Sequence, residues 1–193
     1  MRRALLIVAT ALLAACASAP KGVPPLPRAE AVDIDRFMGD WYVIAHAPTA
    51  PERDAFNAVE RYGLCPDGRV ATVFRFRERG FDGQREILRP TGFPDAGSGY
   101  AEWGMQFLWP FRAEYIVAWL GEDYQTTIIA RSARDYVWLM HREAAMPPQA
   151  LEAALQRIAG MGYERSALRM VPQRWPEVDG SMGPGDASKP RCD

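Results

Sequence analysis

Histidine and cysteine are scarce. The 193 residues hold two of the first, His46 and His141, and three of the second, Cys16, Cys65 and Cys192. A zinc site needs several such ligands at characteristic spacing, and neither histidine has one, so no metal is expected. No Cys-x-x-Cys occurs, and Cys65 has no positive flank beyond distant Arg61 and Arg69, which argues against redox chemistry. No serine sits in a Gly-x-Ser-x-Gly elbow, and neither histidine has an evident acidic partner, so no catalytic residue is assigned and no enzyme is expected. The net charge is −1, with arginines interleaved among Asp and Glu, which argues against a nucleic-acid partner. The apolar run Ala4–Ala15 falls short of the roughly 20 residues that a spanning helix needs.

That run follows Met1-Arg2-Arg3 and reads as a signal peptide over residues 1–15. It closes on Leu13-Ala14-Ala15-Cys16, which resembles a bacterial lipobox; the resemblance implies that Cys16 becomes the acylated first residue of the mature chain. Multiple acyl chains anchor stably, at roughly 0.8 kcal/mol per buried methylene. Ala17 follows the cysteine where an Asp would resemble an inner-membrane retention signal, so the implied destination is the outer membrane, facing the periplasm. Residues 16–31, with prolines at 20, 24, 25 and 27, form an extended tether. Cys65 and Cys192 are then an even pair in an oxidising compartment. A bond between them would close a loop of about 127 residues and contribute about 4 to 5 kcal/mol in the chain-entropy model.

From Trp41 to Arg142 short alternating or apolar segments are separated by turn signals, with no helical period. Strands are predicted at 41–47, 57–65, 69–77, 84–90, 99–107, 112–120, 125–131 and 135–142. Eight strands are the number that closes an antiparallel up-and-down barrel around one small ligand. Pro66-Asp67-Gly68, Asp82-Gly83, Gly121-Glu122-Asp123 and Ser132-Ala133-Arg134 make hairpin connections, while the 48–55 segment is longer.

Alternation assigns the lining. Phe74, Phe76, Trp103, Met105, Phe107, Tyr115, Val117 and Trp138 are the candidate ligand-binding residues, and Trp41, Val43, Ala45 and Trp119 share the inward parity. Parity places His46 and His141 outside. Arg53 and Arg112 stand near the mouth. The sixth and eighth strands are apolar on both faces, so a cover is needed. Pro147-Pro148 opens a helix over 149–159, with Leu151, Ala154, Leu155 and Ile158 at helical spacing to bury Ile116, Ile129, Val137 or their neighbours. A short strand at 167–171 follows, and residues 172–193 read as a loose tail tied down only at Cys192.

Several segments resemble the bacterial outer-membrane branch of the lipocalin family. They are Phe37-Met38-Gly39-Asp40-Trp41-Tyr42-Val43-Ile44-Ala45 with its Gly-x-Trp, Asn57-Ala58-Val59-Glu60-Arg61-Tyr62, Trp109-Pro110-Phe111, Tyr115-Ile116-Val117-Ala118 with Tyr124, and 134–142 ending in Arg142. Trp109 replaces the usual glycine and His141 a serine-like residue. The resemblance covers 32–171 and implies a calyx with Gly39, Trp41 and Arg142 as its structural motif, Arg142 stacking on Trp41. It also implies a lipid ligand, such as a fatty acid or lysophospholipid, bound by a monomer or weak homodimer without a cofactor. A lipid-modifying enzyme, a haem-binding barrel that would need an inward histidine, and a filled structural barrel are the competing readings.

Overall fold

Gly39 takes a φ of +93°, a conformation that costs glycine little, and turns the chain from a one-turn helix, α1 (Ile34–Phe37), into the first strand, β1 (Gly39–Ala47). Asp33 caps α1 by accepting from the backbone N–H groups of Asp35 and Arg36. The computed structural model describes residues 23–48, 52–177 and 190–192. The expected signal peptide, the Cys16 anchor, the first part of the tether and most of the far tail lie outside the described residues.

An antiparallel meander follows: β2 (Ala55–Leu64), β3 (Val70–Glu78), a fourth position shared by β4 (Arg85–Leu88) and β5 (Thr91–Pro94), then β6 (Glu102–Leu108), β7 (Phe111–Leu120), β8 (Thr126–Ala130) and β9 (Val137–His141). β9 pairs back onto β1, so the eight positions close into a barrel as expected. The fourth strand is split where the sequence predicts one unit. Leu88 pairs with Phe74 and Gly92 with Val70, and between them lies Pro90, which has no N–H to give the ladder. Its carbonyl instead accepts from the N–H of Thr72.

Apolar residues separate into two clusters divided by the barrel wall. The interior holds Trp41, Val43, Phe74, Trp103, Val117 and Trp138, among others. The outer cluster, with Ile116, Ile128, Val137 and Leu139, lies beneath Ala154, Leu155 and Ile158 of α2 (Pro148–Gly160). The predicted helix and its role as cover are therefore observed.

Two β-bulges correct the predicted parity. Val43 pairs with Met140 inside and Ala45 with Leu139 outside, so Ile44 is the extra residue. Beyond it the faces exchange: Ala45 points out, and His46, opposite Trp138, points in. In β7 the register slips between Val117 and Trp119, which sends Trp119 outside, opposite Ile128 and under the Arg157 guanidinium at 4.6 Å. Ile129, expected beneath the helix, belongs to the interior cluster instead.

A third irregularity lies in β2, where Asn57 has a φ of 47° and the register with β3 shifts between Phe56 and Val59. β1 pairs with β2 only over Gly39–Tyr42, and the chain after α2 fills the gap beyond. β10 (Arg169–Met170) pairs with Ala45 and His46, and Gln173 donates through Nε2 to the carbonyls of Val43 and Ala58, each at 3.0 Å. Residues 172–177 are thus not loose. Glu177 is buried among Arg75, Arg77 and Arg85, with its carboxylate 2.7 Å from Arg77 and 2.9 Å from Arg85. Cys65 and Cys192 form a disulfide with Cα atoms 5.6 Å apart.

Candidate functional site

The two ends of the barrel differ in kind. At one end the Trp41 indole lies buried across the interior and donates from Nε1 to the carbonyl of Phe37 at 2.8 Å. The Arg142 guanidinium stacks over that ring at 3.8 Å, the pairing that the motif residues imply. The same guanidinium donates to the carbonyls of Asp40, Arg36, Phe37 and Tyr124, at 2.8, 2.7, 3.2 and 3.3 Å. Burial lowers its pKa to about 10, against the favourable charge of Asp40, so it stays a cation at neutral pH. Phe37, Tyr62 and Trp103 pack edge and face around the plug, and this end is shut.

Toward the other end the interior opens into a cavity of about 350 Å³. Of the eight predicted lining residues, Phe74, Met105, Phe107, Tyr115 and Trp138 reach it. Phe76, Trp103 and Val117 face inward but are consumed in packing below and beside it. Trp103, for instance, stacks on Tyr115 with centroids 5.2 Å apart and donates to the carbonyl of Tyr100. Phe107 is a rim residue, 63 % exposed, rather than a wall. It begins an apolar lip at the β6–β7 turn with Leu108, Phe111 and Trp109, the last 80 % exposed. Neither arginine expected near the mouth lines the cavity: Arg53 is exposed on its loop, and Arg112 lies over the Phe93 ring at 3.4 Å.

The wall also carries carboxyl groups that the sequence reading did not single out. Glu114 accepts from the backbone N–H and hydroxyl of Ser132 at 2.6 and 2.8 Å. Glu52 accepts from the Trp138 indole N–H at 3.1 Å, and its oxygen lies 3.9 Å from Nδ1 of His46. Glu60 is the deepest of the three. It pairs with Trp41 on one side and Phe74 on the other, is 2 % exposed, and its Oε2 has no hydrogen-bond partner. Burial, with the nearby charge of Glu52, pushes the Glu60 carboxyl well above the ordinary range and favours its neutral form. Burial likewise raises the phenols of Tyr62, Tyr115 and Tyr136, the first two sharing a hydrogen bond of 2.5 Å. The signal for Glu60 was present in the chain: it stands two residues from Tyr62, on the face that a strand gives to alternate positions.

His46, turned inward by the bulge, is buried behind Glu52 and is not part of the cavity wall. His141 stays outside and shares a hydrogen bond of 2.9 Å between its Nδ1 and the Thr126 hydroxyl. Among the described residues no three His, Cys, Asp or Glu gather as metal ligands, and no helix is long and apolar enough to cross a membrane.

A closed antiparallel barrel, plugged by an indole under a guanidinium and hollow toward one mouth, defines a calyx. The chain belongs to the lipocalin family: residues 32–173 match the model of the Lipocalin-like domain. It is 26 % identical over 165 residues to temperature-induced lipocalin-1 of Arabidopsis thaliana, covering 81 % of this chain and 87 % of that protein. It is also 26 % identical over 172 residues to the outer membrane lipoprotein Blc of Citrobacter freundii, covering 86 % and 93 %. Bovine apolipoprotein D matches at 26 % identity over 65 % of this chain and 69 % of its own. Insecticyanin from the tobacco hornworm Manduca sexta superposes with a TM-score of 0.65 at 12 % identity, over 82 % of this chain and 89 % of that one, and shares the fold.

Proposed function

We propose that this protein binds a small amphipathic lipid in its calyx and carries or stores it at a membrane to which Cys16 tethers it. The observation that supports binding is the cavity itself. Its volume falls at the lower end of the range of roughly 300 to 1,000 Å³ typical of small-molecule sites, and Phe74, Met105, Tyr115 and Trp138 offer it an apolar wall. The exposed lip at Phe107, Leu108 and Trp109 extends that apolar surface to solvent, where a lipid would enter. Binding is favoured over chemistry because the wall presents carboxyls and phenols without a nucleophile and base in contact.

The envelope setting is supported by the lipobox-like Leu13-Ala14-Ala15-Cys16 and by the similarity to a protein named as an outer membrane lipoprotein. In this reading residues 1–15 are removed, 16–31 form the tether, 32–171 the barrel with its helix, and the remainder is the tail. Fatty acids and lysophospholipids are the candidate cargo. Native mass spectrometry of protein purified from its own envelope, followed by lipid extraction, tests it. One lipid per chain is expected, lost in Met105→Asp, which puts a charge into the wall. Protein that emerges empty and stays empty when incubated with lysophospholipid would overturn the reading.

A further inference from the structure

The cavity is apolar along its length and acidic at its floor. We propose that the floor binds the protonated amine of a single-chain amphiphile, with Glu60 as the counter-ion and the apolar body lying along Phe74, Met105 and Trp138 toward the mouth. This rests on the calyx binding an amphiphile and adds the chemistry of the head and its direction of entry.

The register of β1, β2 and β3 sets Glu60 in the row of Trp41 and Phe74, next to the plug and farthest from the lip. The other polar groups on the wall are committed. Glu114 is held by Ser132, Glu52 by the Trp138 indole, and Arg131 pairs with Asp135 at 3.3 Å. Glu60 Oε2 alone among the wall carboxylate oxygens is buried without a partner. A buried polar atom left without a hydrogen bond is costly, and a carboxylate there needs a cation beside it. Among the described residues no cationic side chain pairs with Glu60. A ligand ammonium supplies both the missing donor and the charge. A carboxylate head in the same place would bring its charge beside that of Glu52, which weighs against it.

In the empty calyx burial favours the neutral acid form of Glu60. As R–NH₃⁺ enters, the Glu60 O–H bond breaks, its proton passes to the buffer, and the carboxylate and ammonium pair. The titratable groups facing Glu60 are Glu52 from the mouth loop, Tyr62 from β2, Tyr115 from β7 and Tyr136 from the turn before β9. Burial raises all three phenols, so none competes for that proton near neutrality.

Isothermal titration of the full chain with dodecylamine, dodecanol and laurate, in two buffers of different ionisation enthalpy, tests this. Dodecylamine is expected to bind at least about tenfold tighter than dodecanol, the ion pair with Glu60 outweighing the cost of ionising it, with laurate weakest. About one proton should be released per amine bound. In Glu60→Gln the amine and the alcohol should bind alike, without proton release. Laurate binding as tightly as dodecylamine in the wild-type chain, or an amine preference that survives in Glu60→Gln, would overturn the assignment. Equal binding of all three probes removes the amine site and leaves the calyx reading standing, whereas binding of none removes both.

Discussion

Replacing Arg142 with alanine removes one side chain and unseats three segments of backbone. The guanidinium donates to carbonyls of α1 and of the turn into β1, and to Tyr124 ahead of β8, while it covers the Trp41 indole. A hydrogen bond to a charged group contributes about 1.5 to 3 kcal/mol. The cation over the ring adds about 1 to 2 kcal/mol when partly desolvated. Simple addition overstates the loss, because the Arg36 carbonyl lies at an exposed position where water replaces the donor. The tightest remaining bond, to Asp40 at 2.8 Å, together with the stack and a fraction of the rest, gives about 3 to 5 kcal/mol. At roughly 2 to 4 °C per kcal/mol for a domain of this size, Tm should fall by about 6 to 20 °C. Urea unfolding followed by tryptophan fluorescence measures it, with m unchanged if the native fold persists. Arg142→Lys keeps the charge but not the planar fork, and should recover less than half of the loss. A double-mutant cycle with Trp41→Phe isolates the stack. If Arg142→Ala unfolds within about 1 kcal/mol of the wild type, the guanidinium is not what closes this end.

Three further perturbations separate the other contacts. The raised Glu60 pKa makes native stability fall as pH rises from the ordinary carboxylate value toward the folded one, since the unfolded chain gives up its proton first; Glu60→Gln should therefore gain Tm over the wild type progressively above about pH 4.5, and a difference that stays flat with pH would refute it. Burial alone would raise the Glu177 carboxyl, but hydrogen bonds from Arg77 and Arg85 and the charge of Arg75 hold it below the ordinary range, so its contribution is present above that range and lost on acidification. Glu177→Gln should cost about 1.5 to 3 kcal/mol at neutral pH by weakening the charge-assisted hydrogen bonds from Arg77 and Arg85, and much less in acid, read by chemical denaturation at both pH values. Cys65→Ser with Cys192→Ser should lower stability by up to about 4 to 5 kcal/mol, seen as a Tm shift that dithiothreitol reproduces in the wild type and leaves unmoved in the variant.

What the chain announces by itself is whatever depends on neighbours in sequence. Side chains alternate across a strand by backbone geometry, so Phe74, Met105, Tyr115 and Trp138 reveal a common inward face without any knowledge of the partner strand. Turn residues and the Pro–Gly bracket around α2 are local in the same way, which is why the eight barrel positions and the covering helix are legible. Gly39, Trp41 and Arg142 are legible through their motif, although they lie about a hundred residues apart.

Parity is a different matter, because a bulge is a disagreement between two strands rather than a property of one. Ile44 and Ala118 become extra residues only against the ladders of β9 and β8, and after them His46 turns in and Trp119 turns out. The tail shows the same dependence. Pro172 to Glu177 reads as loose from composition, yet the shift at Asn57 opens the very edge that Gln173 bridges, and three arginines on neighbouring strands gather around Glu177. Glu60 is the sharpest case, since a carboxylate in a strand ordinarily marks the wet face. Only the closure of the barrel, which puts the row of Trp41 and Phe74 beyond the reach of water, makes it a buried acid facing a cavity.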